Sequence, residues 1–395
     1  MLHRSLFILG RQSGIARAEL ESLYDPRHLQ PFGDICVTSD LETSNIDFRR
    51  LGGTIKLGSI LGVVDTIDRQ TIQAALPGFI HNHIDPAVSG KLSIGLSTYG
   101  VRVTSKQVTA MAFELKKTLR TVGYSIRLIP NQEPALNTAQ VIHNRLTGHR
   151  GIELLLVQSG GKIIVARTEE VQDIVAYTKR DQARPKRDAF VGMLPPKLAQ
   201  IIINLAAGPS KPSPNSIVLD PFCGSGVILQ EALLMGFGAY GSDIEPRMIE
   251  YSRENLEWLA QRKKLDNSMF DVGDATTFQW HHPFATVASE TYLGSALNTW
   301  PSSERLSTII RTCNTILGNF LQNIAPQIPR SRRLCLAVPT WINPSNGIIK
   351  HLPILDQIED LGYNQVSFQY TKSREMVYYR PGQLVGRELL VLTRR

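Results

Sequence analysis

The sequence predicts an α/β protein whose C-terminal half is built around a parallel sheet with helices on both faces. From Met193 onward, apolar stretches with strand spacing alternate with stretches of helical spacing, and this alternation is typical of a parallel sheet. A glycine-containing loop, 220–226, joins one of these strands to a helix, and sheets of this kind bind ligands at such loops. The 395 residues, 42% of them hydrophobic, are enough for roughly two or three domains.

The residues before Met193 predict two smaller α+β domains and a linker. The first domain covers 1–64, and the second, 65–168, is expected to end in a hairpin around Gly160 and Gly161. The predicted elements are strands at Ser5–Gly10, Cys36–Ser39, Ile55–Val64, Tyr124–Ile129, Ile152–Val157 and Lys162–Ala166, and helices at Ile15–Leu23, Lys106–Val122 and Asn137–Leu146.

The expected linker, 169–192, is strongly basic. The chain as a whole carries 43 Lys and Arg against 35 Asp and Glu, a net charge of +8. Such a balance favours a polyanionic partner, nucleic acid before an anionic membrane. The linker is either solvated or a surface for a phosphate backbone. Its candidate RNA-binding residues are Lys179, Arg180, Arg184, Lys186 and Arg187.

Residues 193–395 predict one larger domain. Pro195 and Pro196 open its first helix, where the missing N–H of a proline costs no hydrogen bond. The predicted strands are Ile217–Leu219, Ala239–Ser242, Ala285–Ala288, Leu334–Val338, Val366–Tyr370 and Glu388–Leu392, and the predicted helices are Pro195–Ala207, Val227–Met235, Pro246–Ala260 and Leu306–Ile324.

The loop from Asp220 to Gly226, with the sequence D-P-F-C-G-S-G, carries the clearest chemical signal in the chain. Glycines between a strand and a helix allow a ligand to approach the backbone at the helix N-terminus. The dinucleotide fingerprint requires a third glycine where this chain has Leu229, and the chain contains no G-K-[ST]. A NAD or FAD site and a phosphate-binding P-loop are therefore excluded.

Acidic residues accompany three successive predicted strands. Asp220 closes the first, Asp243 ends the second, and Asp274 lies beyond the next helix, so all three are expected at the carboxyl edge of the sheet. This pattern is typical of S-adenosylmethionine enzymes, in which the second acid can bind both ribose hydroxyls and the third the adenine amino group. The expected cofactor-binding residues are Asp220, Phe222, Gly224, Gly226, Asp243, Ile244, Asp274 and Ala275.

Other functional classes find no support in the sequence. No apolar run approaches the ~18–20 residues of a membrane span. The four cysteines are far apart, which argues against a disulfide framework and a cysteine metal site. The histidines lack the spacing of metal ligands. We therefore expect a cytoplasmic protein with no bound metal.

The glycine loop resembles the D-P-F-C-G-[ST]-G loop of the THUMP-containing tRNA guanosine N2-methyltransferases, which modify guanosine at position ten of tRNA. Arg180–Asp188 and Gly192–Gln200 resemble the segment that precedes the first strand of the catalytic domain in that family. The resemblance implies that the first domain is ferredoxin-like and that the second is a THUMP domain binding the tRNA acceptor end. It also implies that residues 193–395 form a Rossmann-like S-adenosylmethionine methyltransferase domain.

The chain departs from that family at the expected catalytic motif. The family carries D-P-P-Y after the fourth strand, and this chain reads Ser289-Glu290-Thr291-Tyr292. A guanine amine is a poor nucleophile, so catalysis depends on holding it in line with the methyl group while acceptors take its protons. Ser289 is one candidate acceptor, and Glu290 is the other if the register shifts by one residue. Tyr292 is expected to stack on the extruded base.

Together these expectations describe an S-adenosylmethionine-dependent tRNA (guanine-N2-)-methyltransferase. Two other interpretations stay open: a tRNA-binding protein that keeps the fold without turnover, and a DNA amino-methylase. The sequence does not decide which base and tRNA position are modified, or whether a homodimer or a small protein partner is needed.

Overall fold

A computed structural model describes residues 3–83, 90–187, 193–260 and 269–395 of the chain. The chain divides into two compact units. The end of the expected linker, 188–192, lies outside the described ranges and includes Asp188 and Gly192 of the segments that carry the family resemblance. The N-terminal unit consists of Met1–Ser13, Asp25–Arg49 and Thr54–Ala176, and the C-terminal unit consists of Gly14–Tyr24, Arg50–Gly53 and Tyr177–Arg395.

The elements up to residue 182 include those that the sequence predicts, with several additions. In chain order they are β1 (Ser5–Leu9), α1 (Ser13–Leu23), β2 (Leu29–Pro31), β3 (Cys36–Ser39), β4 (Thr54–Val64), α2 (Arg69–His81), β5 (Lys91–Tyr99), α3 (Ser105–Thr121), β6 (Ser125–Leu128), α4 (Thr138–His143), β7 (Gly151–Ser159), β8 (Lys162–Val171) and α5 (Ile174–Gln182). Short 3-10 helices lie at Pro26–His28, Thr43–Asn45 and Phe48–Arg50.

Strands from both expected N-terminal domains pair in one sheet. Among the described residues its order is β2-β3-β1-β4-β8-β7-β5-β6. β4 pairs antiparallel with β8, from Lys56 opposite Val171 to Val64 opposite Ile163, and with β1 on its other edge. The expected division at residue 64 is therefore corrected, because the hydrogen bonds of β4 and β8 join both parts into one unit.

The helix α2 and the strand β5 are, with the short strand β2, elements of the N-terminal unit that the sequence prediction lacks. Asp68 caps α2 by accepting a hydrogen bond from the backbone N–H of Thr71, but the helix contains Pro77, and proline usually ends a helix. β5 pairs in parallel with both β6 and β7. Its buried residues Leu92, Ile94 and Leu96 alternate with serine and glycine, which is the period-two pattern of a strand that the sequence prediction overlooked.

The C-terminal unit confirms the predicted alternation of strands and helices. The elements are α6 (Pro196–Ala207), β9 (Ile217–Asp220), α7 (Val227–Leu234), β10 (Gly238–Asp243), α8 (Pro246–Leu259), β11 (Phe270–Val272), β12 (Thr286–Glu290), α9 (Ser303–Ile324), β13 (Arg333–Ile342), β14 (Ile349–Lys350), β15 (Tyr363–Gln365), β16 (Val377–Tyr378) and β17 (Val385–Arg394). Short 3-10 helices lie at Pro353–Gln357 and Ser373–Glu375. Among the described residues of this unit the sheet order is β11-β10-β9-β12-β13-β17-β15, in which the first five strands are parallel and β17 is antiparallel to β13.

Successive side chains of the central strands pack alternately in two hydrophobic cores, one on each face of the sheet. Leu334 and Leu336 of β13 pack in the core that contains α9, whereas Cys335 and Ala337 pack in the core that contains α6 and α7. This alternation follows from the period of two in a strand. A strand buried on both faces reads as a continuous apolar run, which is why β13 is easily predicted.

The prediction of a strand at Val366–Tyr370 is wrong. β15 ends at Gln365, one residue earlier. The backbone N–H groups of Gln369 and Tyr370 donate to the carboxylate of Glu21 in α1, at 2.5 and 3.1 Å. These amides are therefore satisfied by a side chain and not by a neighbouring strand, although Val366 and Phe368 still pack against the core.

Most of α1 belongs to the C-terminal unit, and a buried carboxylate of this helix is hydrogen-bonded within that unit. Glu19 accepts hydrogen bonds from the backbone N–H groups of Gly52 and Gly53, at 2.9 and 2.8 Å. It also accepts one from the side-chain amide of Asn204 in α6, at 2.7 Å. Burial raises the pKa of Glu19 to about 7, against these hydrogen bonds, which favour the charged form.

Candidate active site

A cavity of about 730 Å³ opens at the carboxyl edge of the sheet in the C-terminal unit. It lies where β9, β10 and β12 end, and Asp220, Asp243 and Glu290, the last residues of those strands, all line it. The chain continues from β9 to β10 and β11 on one side, then returns to place β12 on the other side of β9. This is the topological switch point at which open α/β sheets bind ligands.

The glycine loop is held in a fixed shape by α8. Ser252 donates its hydroxyl to the carbonyl of Gly224 at 2.7 Å, and the Asn255 amide donates to the carbonyl of Ser225 at 2.9 Å. Gly226 has a φ of +84°, and a Cβ there would lie 2.8 Å from the Ser252 hydroxyl. Gly226 therefore shapes the loop through its close approach to α8. The sequence contains no motif that singles out Ser252 or Asn255.

Asp243 connects the end of β10 to the glycine loop. Its carboxylate accepts hydrogen bonds from the backbone N–H groups of Gly224 at 2.8 Å and Glu245 at 3.0 Å. Burial raises the pKa of Asp243, while these hydrogen bonds act in the opposite direction. The neighbouring Ile244 is 61% exposed, as expected for an apolar side chain that can contact a planar ligand at the cavity wall.

The remaining expected cofactor residues also lie at the cavity. Asp274 is exposed and accepts hydrogen bonds from the backbone and hydroxyl of Thr276, at 2.9 and 2.8 Å. Ala275 is buried, and Phe222 packs edge to face on Phe320 with 5.2 Å between ring centres. Seven of the eight residues predicted for the cofactor line the cavity, namely Asp220, Phe222, Gly224, Asp243, Ile244, Asp274 and Ala275, and Gly226 does not.

Asp220 is almost completely buried at the base of the cavity. Its pKa is raised to about 8, mainly by burial. Hydrogen bonds from Ser289 and the backbone of Phe222 act against this rise, and the nearby carboxylates of Asp243 and Glu290 contribute to it. A carboxyl group with this pKa is largely protonated at neutral pH. It can then hold its neighbours in place without adding a negative charge to the cavity.

The structure corrects the expectation for Ser289. Its side chain is fully buried and donates its hydroxyl to Oδ1 of Asp220 at 2.5 Å. Ser289 is also not among the residues that line the cavity, whereas Glu290 and Tyr292 are. Because successive side chains of a strand point to opposite faces, only one of the two neighbours in β12 can face a ligand, and here it is Glu290.

Glu290 is ion-paired with Arg387 of β17. Burial raises the pKa of Glu290, and the guanidinium of Arg387 lowers it by favouring the charged form. Thr291 is buried, and its N–H donates to the carbonyl of Ala337 at 3.0 Å. Tyr292 is 44% exposed. The pair with Arg387, 97 positions away in the sequence, leaves no signal in the local motif.

The structure separates the five candidate RNA-binding residues into two groups. Nε of Arg180 lies 2.9 Å from Oε1 of Glu231, which is fully buried, and its guanidinium stacks 4.4 Å above the ring of Tyr177. Arg184 is buried, with Nη2 3.4 Å from Sδ of Met193. These two arginines therefore contact the C-terminal unit itself, contrary to the expectation of a phosphate-binding role.

The other three linker cations differ in exposure. Nζ of Lys186 lies 3.3 Å from Oε1 of Glu254 and 5.3 Å above the ring of Tyr251. Lys179 and Arg187 are exposed, and Nη1 of Arg187 donates a hydrogen bond to the carbonyl of Gln182 at 3.4 Å. Most of the basic run is thus explained by intramolecular contacts, and α5 occupies part of the expected linker.

The described ranges contain no group of three or more His, Cys, Asp or Glu side chains that could hold a metal ion. His81 has its own partner, with Nδ1 3.0 Å from the hydroxyl of Tyr124. In the same ranges no helix is both long and apolar enough to cross a membrane.

Two family profiles match the chain. A profile described as a methyltransferase domain matches residues 212–327, a range that contains the glycine loop, Asp243, Asp274 and Glu290. A profile described as a DNA methylase matches residues 144–254.

The fold is similar to the crystal structure of TrmN from Thermus thermophilus, with a TM-score of 0.54 and 16% identity over 100% of both chains. This similarity and the methyltransferase profile confirm the expected Rossmann-like methyltransferase fold.

Curated relatives identify the family. The chain is 47% identical over 186 residues to the tRNA (guanine(10)-N2)-dimethyltransferase of Methanothermobacter thermautotrophicus, over 47% of this chain and 50% of that protein. It therefore spans about half the length of that relative. It is 34% identical over 295 residues to the Pyrococcus abyssi protein of the same name, over 73% of this chain and 78% of that protein. The chain belongs to the tRNA (guanine(10)-N2)-dimethyltransferase family.

Proposed function

We propose that the C-terminal unit transfers methyl groups from S-adenosylmethionine to the exocyclic N2 amine of a guanine in tRNA. The observation that carries the proposal is the meeting of two sets of residues at one cavity. One set is the glycine loop with Asp243 and Asp274, and the other is Glu290 with Tyr292. Family membership and the methyltransferase profile support the same activity.

The residues around the cavity fit the cofactor. The loop that ends in Gly226 brings its backbone to the cavity at the N-terminus of α7, and the cavity volume of about 730 Å³ is typical of a small-molecule site. Asp243 would hold the ribose hydroxyls and Asp274 the adenine amino group. When bound there, S-adenosylmethionine would supply a methyl group carried on a sulfonium sulfur, which the amine nitrogen would take over as the S–C bond breaks.

Glu290 would accept the hydrogen bond, and then the proton, of the guanine amine. Its carboxylate lines the cavity, and Arg387 favours the ionised form that can accept. Tyr292 offers an exposed ring on which an extruded base can stack. Holding the amine in line is the main contribution required of such a site. In this proposal Ser289 is a positioning residue that acts through Asp220.

We further propose that the N-terminal unit binds the tRNA substrate. The family resemblance supports a ferredoxin-like and a THUMP arrangement within its shared sheet, and the acceptor end as the part of tRNA that it holds. This division of roles leaves the C-terminal unit to contact the target base. A tRNA substrate also favours action in the cytoplasm.

The test is single-turnover transfer of labelled methyl groups to unmodified tRNA, followed by mass spectrometry of the nucleosides. We expect labelled N2-methylguanosine with wild type and a strong loss with Glu290→Gln. If wild type binds cofactor and tRNA but transfers no label, the non-catalytic tRNA-binding interpretation replaces this one.

A second candidate is methylation of an amine in DNA. The match of the DNA methylase profile to residues 144–254 favours it. Duplex and single-stranded DNA are therefore included as substrates in the same assay. Label on DNA, with none on tRNA, would replace the tRNA proposal.

A further inference from the structure

Helix α3 of the N-terminal unit has one face buried and the opposite face exposed. Successive residues of an α-helix are about 100° apart around its axis. Positions 113, 117 and 120 therefore lie within about 40° of position 106 when the helix is viewed along its axis. All four are exposed. The buried residues lie on the opposite side: Val108, Met111, Ala112, Leu115 and Leu119. We call Lys106, Phe113, Lys117 and Arg120 the α3 stripe.

The stripe combines three cations with one exposed aromatic ring. Among the described residues, none of the three cations takes part in an ion pair with an acid. Phe113 is 58% exposed between Lys106 and Lys117. Glu114, the nearest acid along the helix, lies about 100° away around the axis from Phe113. The stripe thus presents positive charge with an apolar ring in its middle.

We propose that the α3 stripe binds the phosphate backbone of the RNA substrate, with an unpaired base stacked on Phe113. The inference rests on the proposed tRNA methylation and adds a surface to it. The cations span about 21 Å along the helix, long enough to follow several nucleotides of a strand. Grooves that bind single strands combine positive charge with aromatic stacking surfaces.

RNA fits this face better than another protein does. The cores of protein interfaces are depleted of lysine, whereas two of the four stripe residues are lysines. A purely solubilising helix face would explain the charges but not the exposed phenylalanine between them. The proposal therefore depends on the combination of charge and ring, and the test treats the two separately.

The first arm of the test removes the charges. Lys106→Ala, Lys117→Ala and Arg120→Ala are combined, and binding of unmodified tRNA is measured across a salt series. A plot of log affinity against log salt concentration has a negative slope, and loss of three phosphate contacts should make that slope less negative by about 2. The matched control removes three other exposed cations, Lys211, Arg330 and Arg332. They precede β9 and β13 at the amino edge of their sheet, opposite the cavity.

The second arm removes the ring. Phe113→Ala should weaken tRNA binding by about tenfold, the loss expected for one stacked base, with an unchanged salt slope. Phe113→Leu keeps apolar bulk without a π-face and should lose nearly as much. Circular dichroism of each variant checks that the fold is retained. Full affinity in Phe113→Leu would show that the ring does not stack.

The outcomes separate this inference from the proposed function. If wild type methylates tRNA but the triple variant matches the control in affinity and slope, the α3 stripe does not bind RNA, and the proposed function stands. If wild type neither binds nor methylates tRNA, the proposed function fails and the inference fails with it. A triple variant with a flattened slope and unchanged affinity for S-adenosylmethionine supports the stripe.

Discussion

Ser289 donates its hydroxyl to Oδ1 of Asp220 across 2.5 Å, and both side chains are buried between the end of β9 and the end of β12. Ser289, one of the two expected proton acceptors, is therefore bound to Asp220, the first acid of the glycine loop. Glu290, one position later, faces the cavity and is paired with Arg387. This arrangement decides how the diverged motif should respond to mutation.

The first prediction concerns stability and pH. The native pKa of Asp220 is about 8, whereas its ordinary value is 3.8, so between these values the native state holds more protons than the unfolded state. The contribution of Asp220 to the free energy of unfolding is then complete below about pH 4 and is lost as pH rises towards about 8. Asp220→Asn, which stays neutral, should make the melting temperature fall less steeply from about pH 6 to about pH 8.

Glu19→Gln is the matched comparison for that experiment. Burial raises the pKa of Glu19 only to about 7, so this variant should flatten the lower part of the same pH range. Melting is measured without cofactor by differential scanning calorimetry. Identical pH profiles of wild type and Asp220→Asn would mean that Asp220 is already ionised in the native protein.

The second prediction concerns the proton acceptor. Glu290→Gln should lower single-turnover methyl transfer by about a hundredfold, the contribution typical of a positioned acid or base. Ser289→Ala should cost less than about tenfold, because Ser289 acts only through Asp220. Affinity for S-adenosylmethionine, measured by calorimetry, should hardly change in Glu290→Gln. A larger loss of rate in Ser289→Ala than in Glu290→Gln would make the serine the acceptor.

The third prediction concerns the cofactor. Asp243→Ala removes the proposed acceptor for the ribose hydroxyls, and it also removes the hydrogen bond that holds the N–H of Gly224. Affinity for S-adenosylmethionine should fall by about 1.5–3 kcal/mol, the value of hydrogen bonds to a charged group. Glu250→Ala, an exposed acid on α8 outside the cavity, is the control. Equal affinities of the two variants would remove Asp243 from the cofactor site.

The fourth prediction concerns the ring of Tyr292. Tyr292→Ala should lower kcat/KM for tRNA. The loss should correspond to about 1–3 kcal/mol of transition-state stabilisation, the range found for one stacked base. Tyr292→Phe keeps the ring and should stay close to wild type. Affinity for S-adenosylmethionine should survive in both variants. A loss in Tyr292→Phe as large as in Tyr292→Ala would assign the role to the hydroxyl group.

The fifth prediction separates folding from RNA binding in the basic segment. Arg180→Ala leaves the buried carboxylate of Glu231 without its guanidinium partner, and breaking a buried pair costs about 3–5 kcal/mol of unfolding free energy. Lys179→Ala removes an exposed charge and should change stability very little. Denaturant unfolding measures both. An Arg180→Ala variant as stable as Lys179→Ala would return Arg180 to the list of candidate phosphate-binding residues.

The sequence determined the architecture of the C-terminal unit and the position of its ligand site. Buried parallel strands are continuous apolar runs, and the glycine loop is a local signal between a strand and a helix. Once the order of strands and helices is known, Asp220 and Asp243 must lie at the carboxyl edge of the sheet. The residues expected to bind the cofactor could therefore be placed at this edge without knowledge of any contact between distant segments.

Only the tertiary structure decided which neighbour in β12 faces the cavity. Ser289 and Glu290 point to opposite faces of one strand, and the packed neighbours on each side select the face that meets a ligand. Arg387 and Ser252 are likewise brought to the site by folding. The ion pair of Arg180 with Glu231 and the pairing of the N-terminal strands in one sheet also depend on contacts made only in the folded chain. Hydrogen bonds and ion pairs between segments far apart in sequence leave no periodic pattern, so local reasoning cannot detect them.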